Sequence, residues 1–96
     1  MCGMAWFVVE QTYVPERFAA VRPRHREYLS SLVADGTVAV AGPVDGDTGG
    51  MVIYQARDRE ELQRIIDADP YHLEGAIAER TVREFIPVLG AWLKDR

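Results

Sequence analysis

The stretch AWFVVEQT, residues 5–12, decides the fold. It is short and rich in aromatic and β-branched residues, which is strand chemistry. A strand with one wet face alternates apolar and polar residues. WFVV (6–9) does not alternate, and VAVA (38–41) and MVIY (51–54) share the anomaly. Such strands carry apolar side chains on both faces, and both faces need cover.

Working outward, YVPERFAAV is a connection, and Pro23 suits the first turn of a helix because its missing N–H is harmless there. That helix is expected to run to about Asp35, with Gly36 as its stop. TVAVAGP (37–43) is a second strand, VDGDTGG a turn-rich loop and MVIYQA (51–56) a third strand. Asp58 and Glu61 resemble a capping box that opens a helix with Leu62, Ile65 and Ile66 on its inner face. DPYHLEG is a short helical turn, ERTVREFIPV (79–88) a fourth strand, and LGAWLKDR a tail.

The order β-α-β-β-α-β predicts an α+β, ferredoxin-like fold: a four-stranded antiparallel sheet with both helices on one face. One domain fills residues 1–96, with its core at about 5–88 and a tail over 89–96. No segment is left over to cover the second sheet face. The simplest cover is the same face of a second subunit, giving a homodimer. Trp92 and Leu93 are placed to help seal it, the alternative being a tail folded over its own sheet.

Net charge is −4 and the pI about 5.1, which argues against nucleic acid as a partner. No apolar run approaches the roughly 20 residues that span a bilayer, and the opening residues lack signal-peptide features. A single cysteine, Cys2, has no internal partner. These features suit a cytoplasmic protein. No cysteine–histidine cluster or nucleotide-binding glycine motif calls for a metal or an organic cofactor. Asp45 and Asp47 are hard-cation ligands in type, but two carboxylates alone are too few.

On a helical wheel His25 falls within an arc of Phe18, Val21, Tyr28, Leu29, Leu32 and Val33. It is either a core histidine bonded to the backbone or a site residue. Asp69 continues the inner face of the second helix and is also a natural cap for the turn at Pro70. Helices on the same sheet face allow an inward histidine and aspartate to meet as a general acid–base pair. The helices run roughly parallel, however. His25 near the start of one and Asp69 at the end of the other need a long crossing or a loop to touch. Arg22 and Arg24 at a helix start suit an anion. His72 is a rival partner for Asp69 but is expected to be exposed.

VRPRHREYLSSLVADG (21–36), VAGP (40–43) and DADPYHLEGAIAERTVREF (67–85) together resemble the YciI-like, or YCII-related, family. The resemblance spans roughly residues 5–86. It implies a dimeric α/β barrel and a site centred on a His–Asp pair, which its motifs place at His25 and Asp69. Arg22, Gly42, Pro43 and Tyr71 are the matching substrate-binding candidates. The family's relatives include a dehydrochlorinase of chlorinated aromatics, and muconolactone isomerase shares the wider fold. That implies proton transfer on small, often cyclic, oxygenated compounds. The loop after Pro43 is short and acidic here, so substrate identity does not carry over. Two function classes follow. One is a cofactor-independent lyase or isomerase, with His25 moving a proton, Asp69 orienting it and Arg22 stabilising an oxyanion. The other is a non-catalytic small-ligand-binding or accessory dimer.

Overall fold

The computed structural model describes residues 4–91. Its elements are β1 (Ala5–Tyr13), α1 (Phe18–Ala34), β2 (Val38–Val44), β3 (Gly49–Ala56), α2 (Arg59–Asp67), α3 (Pro70–Leu73) and β4 (Ile77–Phe85). The strands form one antiparallel sheet in the order β2-β3-β1-β4. This is the expected ferredoxin-like fold, a four-stranded antiparallel sheet with its helices on one face. Among the described residues no helix is long and apolar enough to cross a membrane. Trp92 and Leu93 lie outside the described residues.

Period-two alternation divides the central strands cleanly. Phe7 and Val9 of β1, with Val52 and Tyr54 of β3, turn toward the helices and are buried. Leu62 and Ile66 of α2 and Leu29 of α1 close this core. Full burial of Leu62 alone is worth roughly 2 kcal/mol. The opposite residues, Trp6, Val8, Met51 and Ile53, are half-buried on the uncovered face. The missing alternation of the sequence therefore has its expected meaning: the sheet is apolar on both sides.

Helix α1 corrects one expectation. It starts at Phe18, five residues before Pro23, and Pro23 lies inside it. A turn in which Val14 C=O accepts from the N–H groups of Arg17 and Phe18 launches it. The Phe18 ring stacks on Tyr13 with centroids 4.7 Å apart and anchors that first turn. Pro23 is exposed, so its lost hydrogen bond leaves a carbonyl that water can reach. The stop is as expected: Gly36 has φ +87°, and its N–H reaches Val33 C=O. Val33 itself is 56% exposed rather than core.

Helix α2 opens on the predicted box. Glu61 N–H donates to Asp58 Oδ1 at 2.8 Å, while the Glu61 carboxylate accepts from Arg57 N–H instead of from the cap residue. β2 shifts register between Val38 and Val40, and β4 ends at Phe85, three residues earlier than expected.

Candidate functional site

His25 is the eighth residue of α1, well inside the helix because the helix begins early. Asp69 is not on α2 at all. The chain leaves α2 at Ala68, and Asp69 caps α3, which packs across α1. That short helix supplies the crossing that two parallel helices lack. His25 Nδ1 lies 2.8 Å from Asp69 Oδ1 and 3.0 Å from Oδ2. Asp69 Oδ1 also accepts the Tyr71 N–H at 2.9 Å, so one carboxylate caps a helix and holds an imidazole. Asp69 is 2% exposed and His25 8%.

Tyr71 fixes the ring plane. Its phenol stacks on the imidazole with centroids 3.7 Å apart and 12° between planes, and it is fully buried. Nδ1, the plane and the depth of the histidine are thus all set by α3. Nε2 has no protein partner among the described residues, yet it is not a buried unpartnered atom. His25 lines a cavity of about 340 Å³ between α1 and the β2–β3 side of the sheet. Nε2 is the nitrogen left to face it.

The remaining candidates fall around this cavity. Gly42 and Pro43 form part of its sheet wall, and Tyr71 and Arg22 part of its helix wall. Arg22 is already engaged. Its Nη1 and Nη2 donate to the two oxygens of Asp47 at 2.9 and 2.7 Å, and its Nε donates to Tyr71 Oη at 3.1 Å. Those bonds hold the Asp47 carboxyl below its ordinary value. They also secure a turn that needs securing, because Asp45 and Asp47 both have positive φ, 47° and 76°. Asp47 is therefore an arginine partner, not a cation ligand. Among the described residues no group of three or more His, Cys, Asp or Glu side chains is arranged to hold a metal ion.

Arg24 points away and pairs with Glu74 at 2.6 Å. His72 is exposed as expected, 3.6 Å from Asp67 and within 3.2 Å of Arg80, and takes no part in the cavity.

Gln11, Tyr13 and Arg26 also line the cavity and were not among the sequence candidates. Gln11 sits two positions after Val9 and so faces inward by strand alternation, a signal that could have found it. Arg80 Nε donates to its Oε1 at 3.1 Å, which commits the oxygen and leaves the NH₂ group unpaired among the described residues. Tyr13 ends β1 at the cavity, and Gly50 makes room for it. A Cβ at Gly50 would meet the Tyr13 hydroxyl at 2.5 Å. Burial, reinforced by Tyr71, pushes the Tyr13 phenol up to about 12, so it remains a neutral hydroxyl at physiological pH. Arg26, one turn beyond Arg22, reaches the rim.

With this geometry in view, the model of the YCII-related domain matches residues 4–86. The chain belongs to the YCII-related domain family. It is 34% identical over 61 residues to the uncharacterized protein YjpA of Bacillus subtilis (strain 168), covering 64% of this chain and 71% of that protein. Its fold is similar to that of TftG, the 5-chloro-2-hydroxyhydroquinone dehydrochlorinase of Burkholderia phenoliruptrix AC1100, solved in complex with 2,5-dihydroxybenzoquinone. The TM-score is 0.68 at 20% identity, over 84% of this chain and 93% of TftG. PA3566 of Pseudomonas aeruginosa is similar at a TM-score of 0.62 and 15% identity, over 93% of this chain and 98% of that one. At these identities the likeness to the two solved structures is one of fold.

Proposed function

We propose that this member of the YCII-related family is a small-molecule enzyme of the lyase or isomerase type, with His25 as general base and acid. The observation that carries this reading is a buried imidazole with one nitrogen held by a carboxylate and the other open to a cavity. Asp69 accepts the Nδ1–H and so presents the Nε2 lone pair to the ligand. When Nε2 takes a proton from an activated carbon or hydroxyl, the adjacent carboxylate stabilises the positive ring. The same proton returned elsewhere on the molecule completes an isomerisation. Its loss, coupled to departure of a leaving group, completes an elimination. TftG, a dehydrochlorinase, has the same fold and supports this class of chemistry.

The test is solvent exchange. Small cyclic ketones and lactones bearing an acidic C–H are incubated with the protein in D₂O and followed by proton NMR. The wild type is expected to speed C–H loss for at least one ring compound, and His25→Asn to abolish the acceleration. No acceleration across the series, or equal acceleration by both proteins, contradicts the enzymatic reading and leaves a ligand-binding dimer as the alternative.

The assembly belongs to the same proposal. The uncovered sheet face carries Trp6, Val8, Val40 and Ile53, and the exposed Phe85, Ile86, Val88 and Leu89 follow along and beyond β4. Glu10 and Arg83 on that face neutralise one another at 2.7 Å. A second copy offers the same apolar surface and the same internally balanced charges, which suits a two-fold pairing. Light scattering should report twice the 10.8 kDa chain mass. Ile53→Asp should give monomer or unfolded chain, because a buried unpaired carboxylate costs several kcal/mol. A wild type that stays a well-folded monomer at micromolar concentration contradicts the pairing.

A further inference from the structure

The chain carries a net charge of −4, yet the walls of its main cavity hold two arginines, one histidine and no carboxylate. Two acids lie just outside the lining: Asp69 behind the imidazole, 2% exposed, and Asp47, which is held by Arg22 and also feels the charge of Arg26. Of the two arginines, Arg22 commits an N–H of each of its three guanidinium nitrogens to Asp47 and Tyr71. Arg26 has no ion pair or hydrogen bond among the described residues, and it reaches the same cavity from the next turn of α1. An acidic protein thus keeps one unpaired guanidinium, that of Arg26, at a cavity whose own lining holds no carboxylate.

The neutral groups agree with the charged ones. Gln11 presents an NH₂ group whose oxygen is already taken by Arg80. Tyr13 keeps its hydroxyl proton to about 12. The lining is thus rich in donors, and His25 Nε2 is the group suited to accept a proton. A volume of about 340 Å³ is at the small end of ligand pockets, which begin near 300 Å³.

We infer that the cavity selects a small monoanionic compound, with Arg26 as the residue that binds its carboxylate or enolate oxygen and Gln11 as a second donor. Arg26 rather than Arg22 fills this role, because the Arg22 charge is already paired with Asp47 and fastens the β2–β3 turn. The inference rests on the proposed function for the meaning of His25, but its own evidence is the charge and donor pattern of the cavity wall.

Benzoate and its neutral counterpart benzamide are suitable probes, titrated into the full chain and followed by amide and histidine NMR shifts. Benzoate should saturate and move resonances of cavity residues, and benzamide should bind at least about ten-fold more weakly, the factor for one charge-assisted hydrogen bond. Arg26→Gln should weaken benzoate to the benzamide level without lowering Tm. Arg26→Lys should restore part of the preference. Arg24→Gln, whose arginine pairs with Glu74 outside the cavity, should change nothing. Equal binding of both probes, no binding of benzoate, or an undiminished preference in Arg26→Gln overturns the inference. Because these are binding measurements, they stand apart from turnover. If His25→Asn keeps the Arg26-dependent preference while wild type shows no solvent exchange, the ligand class holds and the enzymatic reading falls.

Discussion

Two carboxylates meet α1 three residues apart, and they are used in opposite ways. At Arg22 the partner is Asp47, from the strained turn between β2 and β3, and the pair is two-pronged and at the protein surface. At His25 the partner is Asp69, and the pair is buried beneath a stacked tyrosine. The first pair consumes the guanidinium fork and fastens a turn. The second consumes one ring nitrogen and leaves the other facing a cavity. The structural pair is complete in itself, whereas the pair proposed to work keeps an unsatisfied atom where a ligand can reach it. Burial sharpens the contrast, because a buried carboxylate without its partner is costly while an exposed one is rehydrated.

The contrast is broken most strongly at Asp69. Asp69→Ala strands His25 Nδ1 and the Tyr71 N–H and removes the α3 cap. Urea unfolding should show a loss of about 3 kcal/mol, summed from an unsatisfied buried group and a lost cap. Asp47→Asn should cost far less in the same measurement, since water replaces the arginine. An Asp47→Asn loss as large as that of Asp69→Ala would erase the distinction between the two pairs.

Acid should reveal the smaller effect. The folded Asp47 carboxyl is depressed below its ordinary value of 3.8 by Arg22. A depressed carboxyl contributes stability that is complete above the unfolded value and fades as pH falls through the folded one. The modest advantage of wild type over Asp47→Asn should therefore be full at pH 6 and decline only below about pH 4. An advantage that has already vanished by pH 6 contradicts the Arg22 contact.

Much of this was legible in the residues. WFVV and MVIY announced a sheet apolar on both faces, and Asp58 with Glu61 announced α2. His25 and Asp69 were conspicuous as polar residues on apolar faces. The resemblance to the YCII-related family paired them, but how they reach one another was not legible, because it depends on two facts outside local pattern. One is the early start of α1, driven by the Phe18–Tyr13 stack and not by Pro23. The other is the four-residue α3, which carries Asp69 across to α1. Gln11 was hidden because a polar residue near the end of an apolar strand ordinarily faces solvent. Arg26 was hidden because an arginine on a helix is ordinarily a surface residue, and its meaning rests on Arg22 being already paired. Asp47 lay in a loop whose geometry local sequence does not dictate.

In the proposed mechanism Asp69 holds the Nδ1–H of His25 and leaves Nε2 free for proton transfer. Nitrogen-15 spectroscopy of the two ring nitrogens, recorded at a pH where the ring is neutral, tests it most directly. The expected result is a protonated Nδ1 and a bare Nε2 that shifts when benzoate enters the cavity, with the preference lost in Asp69→Ala. A protonated Nε2, or a ring whose nitrogens ignore both the ligand and the loss of Asp69, would make His25 a core histidine.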